Sequence, residues 1–130
     1  MLIGVNNQFQ NGSFSIYENE FPELVDKAIN YAQRDSKGVI VISIPDYAYT
    51  PFGQNWDANP QNISDEIDMY NDFAETYCNE KGISFVYITD ISRLGLVQPS
   101  LVASDGLHPS ELAYTRFVGR ILPVALEKLQ

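Results

Sequence analysis

The run of residues at 39–44 (VIVISI) is almost entirely β-branched and carries no charge. Runs of this length and composition fill strands that are covered on both faces, as in parallel sheets with helices on either side. The segments before and after the run carry apolar residues every three or four positions, which is the spacing of amphipathic helices. Parallel strands need helical crossovers, so the chain is predicted to be an α/β protein with a parallel sheet.

The same patterns predict about three strands and three helices, which is few for helices on both faces of a sheet. Pro22 and Pro123 lie inside helical patterns and are expected to bend those helices or split off a turn. The first strand is expected to be entered partway through, as if the chain started inside a domain. The first predicted elements are a strand ending at Gly4, a polar turn over 4–8 and a helix opened by a capping box at 15–18. A strand at 39–44 and a helix capped by Asn62 and ended by Gly82 follow. The last two predicted elements are a strand at 83–89 and a helix that begins at Pro109.

Helical spacing also predicts which side chains face the core. Cys78 is the only cysteine, has no partner for an internal disulfide, and is expected to be a small buried hydrophobe. The predicted buried faces consist of Tyr17, Phe21, Leu24, Ala28 and Tyr31 in the first helix, Ile63, Ile67, Tyr70, Ala74 and Tyr77 in the second, and Leu112, Phe117, Ile121, Leu122 and Leu126 in the third.

The chain has 130 residues and a formal net charge of −9. This length fits a single domain over residues 1–130. The few basic residues are scattered, so no nucleic-acid partner is expected. No apolar span long enough for a transmembrane helix is present, and residues 1–4 lack the features of a signal peptide, which leaves the compartment unassigned. The acidic residues at 65–72 follow no metal-ligand spacing, so neither a metal nor a cofactor is expected.

The hexapeptide at 105–110 (DGLHPS) contains the only histidine of the chain. Histidine exchanges a proton near neutral pH, and Asp105 lies three residues before it in a turn opened by Gly106. The Asp105 carboxylate can therefore accept a hydrogen bond from Nδ1 of His108, which leaves Nε2 free to act as a base. Alternatively, His108 has no chemical role and only precedes a helix whose first residue is Pro109. The spacing alone leaves both interpretations open.

The connection over 45–62 is long and carries Tyr47, Phe52 and Trp56. Long connections in compact domains are usually functional or disordered, and the aromatic residues argue against disorder. The connection follows the carboxyl end of a strand, the edge at which open α/β sheets bind ligands, so its aromatic residues are candidates for a substrate-binding wall. A satellite hydrophobic cluster that fixes the loop to the domain explains them equally well.

Two motifs in this order, LIGVNNQ at 2–8 and DGLHPS at 105–110, resemble the SGNH hydrolases, also called GDSL esterases and lipases. The intervening SIPDY at 43–47 and TPF at 50–52 are similar to the lysophospholipase-related branch of that family. The resemblance implies the flavodoxin-like, three-layer α/β/α fold of the family, here reduced to about three strands and three helices. It also implies hydrolysis of carboxylic esters, such as lysophospholipids or acetylated sugars.

The resemblance assigns roles to four residues. Gly4 and Asn6 match the family's Gly-x-Asn-Asp block, in which the asparagine amide donates to the oxyanion, although Asn7 stands where the family usually has Asp. Asp105 and His108 match the Asp-x-x-His block as the orienting carboxylate and the general base. The Gly-Asp-Ser block that holds the nucleophile is absent. The resemblance therefore implies the C-terminal half of an SGNH domain without its nucleophile block.

Three hypotheses of function follow. The first is an incomplete SGNH-type serine esterase that acts on a small-molecule, glycan or lipid ester and pairs with a missing N-terminal half. The second is a non-catalytic remnant that binds a ligand or forms a homo-oligomer through an exposed sheet edge. The third, a receiver-like phosphorylation domain that uses Asp46, lacks the expected acidic pair and late lysine.

Overall fold

The computed structural model describes residues 1–130 and contains two β-strands that pair in parallel, β1 (Ile40–Ile42) and β2 (Ser84–Val86). Ile40 lies opposite Ser84 in the register. The mixed helices and parallel sheet are consistent with the predicted α/β class. The helices are α1 (Val5–Phe9), α2 (Phe14–Ala32), α3 (Gly53–Trp56), α4 (Gln61–Lys81), α5 (Thr89–Ser92) and α6 (Glu111–Leu129), with short 3-10 helices at Asp35–Gly38, Tyr47–Tyr49 and Pro99–Leu101.

The sheet is smaller than the prediction of about three strands. Residues 1–3 form no strand; instead Ile42 donates its backbone N–H to the carbonyl of Met1, at 2.9 Å. The segment over 4–8, predicted to be a polar turn, forms α1. Because Gly4 has a φ of 125° at the start of α1, the chain turns away from the sheet at this glycine.

Side chains alternate across β1 and belong to two hydrophobic clusters. Val41 packs in the larger cluster with residues of α2 and α4, whereas Ile40 and Ile42 pack against the smaller cluster, which includes residues of α6. Cys78 is fully buried in the larger cluster, as predicted, and burial raises the pKa of its thiol to about 11. Such a thiol is protonated near neutral pH and is therefore a poor nucleophile.

The beginning of α2 differs from the prediction. Ser13, not Ser15, precedes the first helical residue, and the two hydroxyl groups bond to each other at 2.7 Å. The capping box predicted at 15–18 was therefore wrong. The helix also continues through Pro22 without being split, because Phe21 and Val25 on either side are buried in the core and hold the segment helical.

Two predicted buried faces are confirmed only in part: Tyr17 and Phe21 of α2 and Phe117 of α6 are buried as predicted. In α2 the buried residues include Val25, while Leu24 is 41 % exposed and Tyr31 is 85 % exposed. In α6 only Ala113 and Phe117 are buried, and the helix continues through Pro123. Exposed apolar residues of α6 include three that were predicted to be buried: Leu112, Leu122 and Leu126. A two-stranded sheet leaves too little surface to cover both sides of this helix.

The ends of the later helices agree with the prediction in part. Gly82 ends α4 with a left-handed φ of 66°, as predicted. The residue before α4 is Pro60, so Asn62 lies within the helix and was wrongly predicted as its cap. Ser110 caps α6, and Pro109, predicted as the first helical residue, lies before it in a β-bridge with Val102. No helix is both long and apolar enough to cross a membrane.

A buried polar network joins the carboxyl ends of the two strands. The Ser43 hydroxyl accepts the backbone N–H groups of Ile88 and Thr89 at 2.7 and 3.1 Å. The Asn71 side chain, from α4, accepts the N–H of Ile44 and donates to the Thr89 hydroxyl. These bonds fix the segments that follow β1 and β2, from which part of the candidate site is built.

Candidate active site

Asp105 and His108 form the hydrogen bond expected from their spacing. Oδ2 of Asp105 lies 2.5 Å from Nδ1 of His108. Because an ionised carboxylate only accepts, Nδ1 is the protonated ring nitrogen, and Nε2 is left as the proton acceptor. The two side chains are 51 % and 70 % exposed, so the pair is open to a substrate. This arrangement can take up a proton at Nε2 while Asp105 orients the ring.

The local chain conformation holds this pair in place. Gly106 adopts a left-handed φ of 74°, which lets the chain reverse between the two residues. Oδ1 of Asp105 accepts the backbone N–H groups of Leu107 and His108 at 2.9 and 3.0 Å. The Ala103 N–H donates to the His108 carbonyl at 2.8 Å. Oδ1 therefore stabilises the turn, and Oδ2 orients the imidazole.

These hydrogen bonds also set the charge of the pair. The backbone N–H of Leu107, the imidazole of His108 and the backbone N–H of His108 together lower the pKa of the Asp105 carboxyl from 3.8 to about 2. Hydrogen bonds to the charged form favour that form. Asp105 is therefore ionised throughout the range in which histidine exchanges protons.

We expect Asp105 to titrate near pH 2 in an NMR measurement of its side-chain carboxyl carbon, with Asp105→Asn used to assign the signal. Its folded pKa is below the ordinary 3.8, so its contribution to stability is fully present above about pH 3.8 and is lost as the pH falls through about 2. In His108→Ala the carboxyl should titrate at a higher pH but still below 3.8, because both backbone donors remain. A wild-type midpoint at 3.8 would contradict this geometry.

Asn6 reaches the same cavity as His108. It lies in the first turn of α1, is exposed, and its side-chain amide makes no hydrogen bond within the chain. The amide is thus a free donor at the cavity. Gly4 does not line the cavity; a Cβ at this position would lie 2.9 Å from the Tyr17 ring, so glycine lets α1 approach α2 closely.

The aromatic residues of the 45–62 connection separate into two groups. Tyr47 is buried and lines the cavity, whereas Phe52 and Trp56 do not line it. Their rings stack on each other at 5.2 Å, and Trp56 also stacks on Phe9 at 5.0 Å. Phe9 does line the cavity, so Phe52 and Trp56 support its wall from behind. The N–H of Phe52 donates to the Gly106 carbonyl at 3.0 Å, which ties this loop to the histidine turn.

The cavity has a volume of about 290 Å³ and is lined mainly by apolar side chains between α1, the histidine turn and the start of α6. His108 and Asn6 are its exposed residues, so they mark the mouth. Leu101 and Ala113 also line the cavity, although they are 2 % and 1 % exposed. Neither was singled out by the sequence as a site residue, because an apolar lining residue has the same sequence signal as a core residue.

Asp46 also lines the cavity, and in the sequence it was a candidate only for a receiver-like domain. Its side chain is fully buried, and Oδ2 accepts the Arg93 guanidinium at 2.9 Å and the Ser64 hydroxyl at 2.7 Å. Arg93 also donates to Asp68 at 2.7 Å. Burial opposes the charge of Arg93, but the hydrogen bonds that the guanidinium donates to the two carboxylates outweigh burial and raise its pKa. A carboxylate shortly after the β-branched run at 39–44 was the one available signal.

No hydroxyl group is hydrogen-bonded to His108, whose ring bonds only to Asp105. Ser92 is the serine that lines the cavity. Its Oγ donates to the Thr89 carbonyl at 2.6 Å and accepts the Asp46 N–H at 2.8 Å, so its proton is already engaged. His108 and Asn6 thus both line the cavity, and no serine there is hydrogen-bonded to His108.

Comparison with known proteins gives one match. The model of the GDSL-like lipase/acylhydrolase family matches residues 1–116, which include all the candidate residues described above. No curated protein and no solved structure matches the chain at a significant level. The match covers most of the chain, from the Gly4 and Asn6 segment to the first turns of α6.

Proposed function

The chain belongs to the GDSL-like lipase/acylhydrolase family, and from this premise we propose that it provides the general base and the oxyanion donor of a serine esterase. Membership supports esterase or acylhydrolase activity in general. The observation that carries the proposal is the hydrogen bond between Asp105 and His108, with Nε2 free, beside a cavity that also receives the Asn6 amide. These are the parts that acyl transfer from an ester requires around its nucleophile.

In the proposed reaction, Nε2 of His108 takes the proton from a serine hydroxyl as its oxygen bonds to the ester carbonyl carbon. The carbonyl oxygen becomes an oxyanion, and the Asn6 amide donates a hydrogen bond to it. When the carbon–oxygen bond to the alcohol breaks, His108 returns the proton to the leaving alcohol. Water then releases the acyl group by the same sequence, with His108 again as base. Asp105 orients the ring and stabilises its protonated form throughout.

The serine is proposed to come from a segment other than these 130 residues, as in a split or shortened SGNH domain. Two observations support this: His108 has no hydroxyl partner, and the hydroxyl of Ser92 is engaged by backbone groups. The substrate is proposed to be a lysophospholipid-like or acetylated-sugar ester. The apolar lining of the cavity supports an acyl group bound there, and the SIPDY motif at 43–47 supports the lysophospholipase-related branch.

A fluorophosphonate probe, which labels activated serines, tests this proposal through the intact mass of the purified chain. The folded 130-residue chain is expected to remain unlabelled. The same chain joined to a segment that carries the Gly-Asp-Ser block should gain one adduct, and His108→Ala should abolish it. Circular dichroism on every sample confirms that it is folded.

Two results would overturn parts of the proposal. An adduct on Ser92 in the chain alone would place the nucleophile within these residues and remove the need for a second segment. No adduct in the folded, serine-bearing protein would refute the esterase function and favour the non-catalytic, ligand-binding alternative.

A further inference from the structure

The lining of the cavity changes from its mouth to its deep end. His108 and Asn6 are exposed, whereas Asp46, Leu101 and Ala113 are each no more than 2 % exposed although they line the same space. The catalytic groups are therefore at the open end. A substrate that presents its carbonyl to His108 and Asn6 directs one of its two sides into the closed end.

The deep end offers no free partner for a charged group. The Asp46 carboxylate is paired with Arg93, and the Thr50 hydroxyl donates to the Tyr47 carbonyl at 2.7 Å and accepts the Gly53 N–H at 3.0 Å. A phosphate or an ammonium group placed there would be buried without a counter-charge, which is strongly unfavourable. The deep end thus fits the acyl chain of an ester, and the alcohol remains at the mouth.

We propose that Ala113 and Leu101 close this end and limit the length of the acyl group that binds there, an inference that rests on the proposed function. Ala113 lies in the first turn of α6, where its N–H is bonded to the capping Ser110, so this boundary is fixed by the helix start.

Methyl ketones test the limit without any turnover, because they carry a carbonyl and an alkyl chain but cannot be hydrolysed. We expect the affinity of the full chain for the series from 2-butanone to 2-undecanone to rise about fourfold per methylene. The rise should end within the series, at the chain length that reaches Ala113 and Leu101. Binding is measured by NMR titration, from the shifts of the Leu107 backbone amide and the Asn6 side-chain amide.

Two variants should move the limit by the atoms that they add or remove. Ala113→Leu adds three carbons and should end the rise about three carbons earlier; Ala113→Val, with two added carbons, is the milder variant if leucine prevents folding. Leu101→Ala should extend the limit. Ala125→Leu lies on the same helix outside the cavity and is the matched control, with no expected change.

An affinity that continues to rise to 2-undecanone, or a limit that Ala113→Leu and Ala113→Val leave unchanged, would overturn the inference. This failure is distinct from failure of the esterase proposal. Ketone binding with the expected limit but no probe adduct in the serine-bearing protein would leave an acyl-binding cavity without catalysis. Probe labelling without a length limit would leave catalysis and refute the roles of Ala113 and Leu101.

Discussion

Replacing Asp46 with alanine is expected to lower the free energy of unfolding by about 3–5 kcal/mol. The carboxylate is fully buried and is the acceptor for three groups: the Arg93 guanidinium, the Ser64 hydroxyl and the Ala48 N–H. Alanine removes all three acceptor contacts at once and leaves a partly buried guanidinium with only Asp68 as its counter-charge. Urea unfolding, followed by circular dichroism, measures the loss.

Two further variants test how much of this loss of stability is due to the buried charge of Asp46. Asp46→Asn keeps an acceptor for the Ala48 N–H but loses the charge, so its loss should be about 2 kcal/mol. Asp68 is the other partner of Arg93, and its side chain is 47 % exposed, so Asp68→Ala should cost less than about 1 kcal/mol. Equal losses for Asp46→Ala and Asp68→Ala would show that burial of the Asp46 carboxylate does not determine its contribution.

The fold was predictable from sequence where a structural element depends only on residues that are close together in the chain. The β-branched run at 39–44 contains β1, and Gly82 ends α4, because each pattern is local. Helix starts were less predictable: α2 begins after Ser13 rather than Ser15, and no side chain caps it. The exposed side of α6 could not be predicted, because helical spacing identifies an apolar stripe but not how much sheet is available to cover it.

The candidate site, too, was predictable where its contacts are local and not where they are long-range. The hydrogen bond between Asp105 and His108 depends on residues three apart and one glycine, so it could be expected from the local sequence, although the spacing left the role of His108 open. The Asp46 and Arg93 pair joins residues 47 apart in the chain and has no local signature. Phe52 and Trp56 were proposed as a substrate wall, and the structure places them behind Phe9, which has no role in the sequence prediction. Aromatic composition indicates a cluster but not which ring faces the cavity.

In a protein completed with the serine-bearing segment, His108→Ala is expected to lower kcat/KM for p-nitrophenyl butyrate by at least about 10³-fold. Without the imidazole no group at the cavity mouth can accept the serine proton, since the Asp105 carboxylate is fixed by the backbone of its own turn. Asp105→Asn should have a smaller effect, because the base remains but its tautomer and orientation are no longer fixed. Initial rates with saturating and limiting ester measure both variants.

Urea unfolding of the same variants is the matched control for this prediction. The His108 side chain is 70 % exposed, so His108→Ala should leave the urea midpoint nearly unchanged while turnover is lost. Asp46→Ala should behave in the opposite way, with a large loss of stability. If His108→Ala retains turnover in the completed enzyme, His108 is not the base, and the hydrogen bond to Asp105 serves only to shape the turn before α6. A loss of turnover that is matched by a loss of stability would assign His108 a structural role instead.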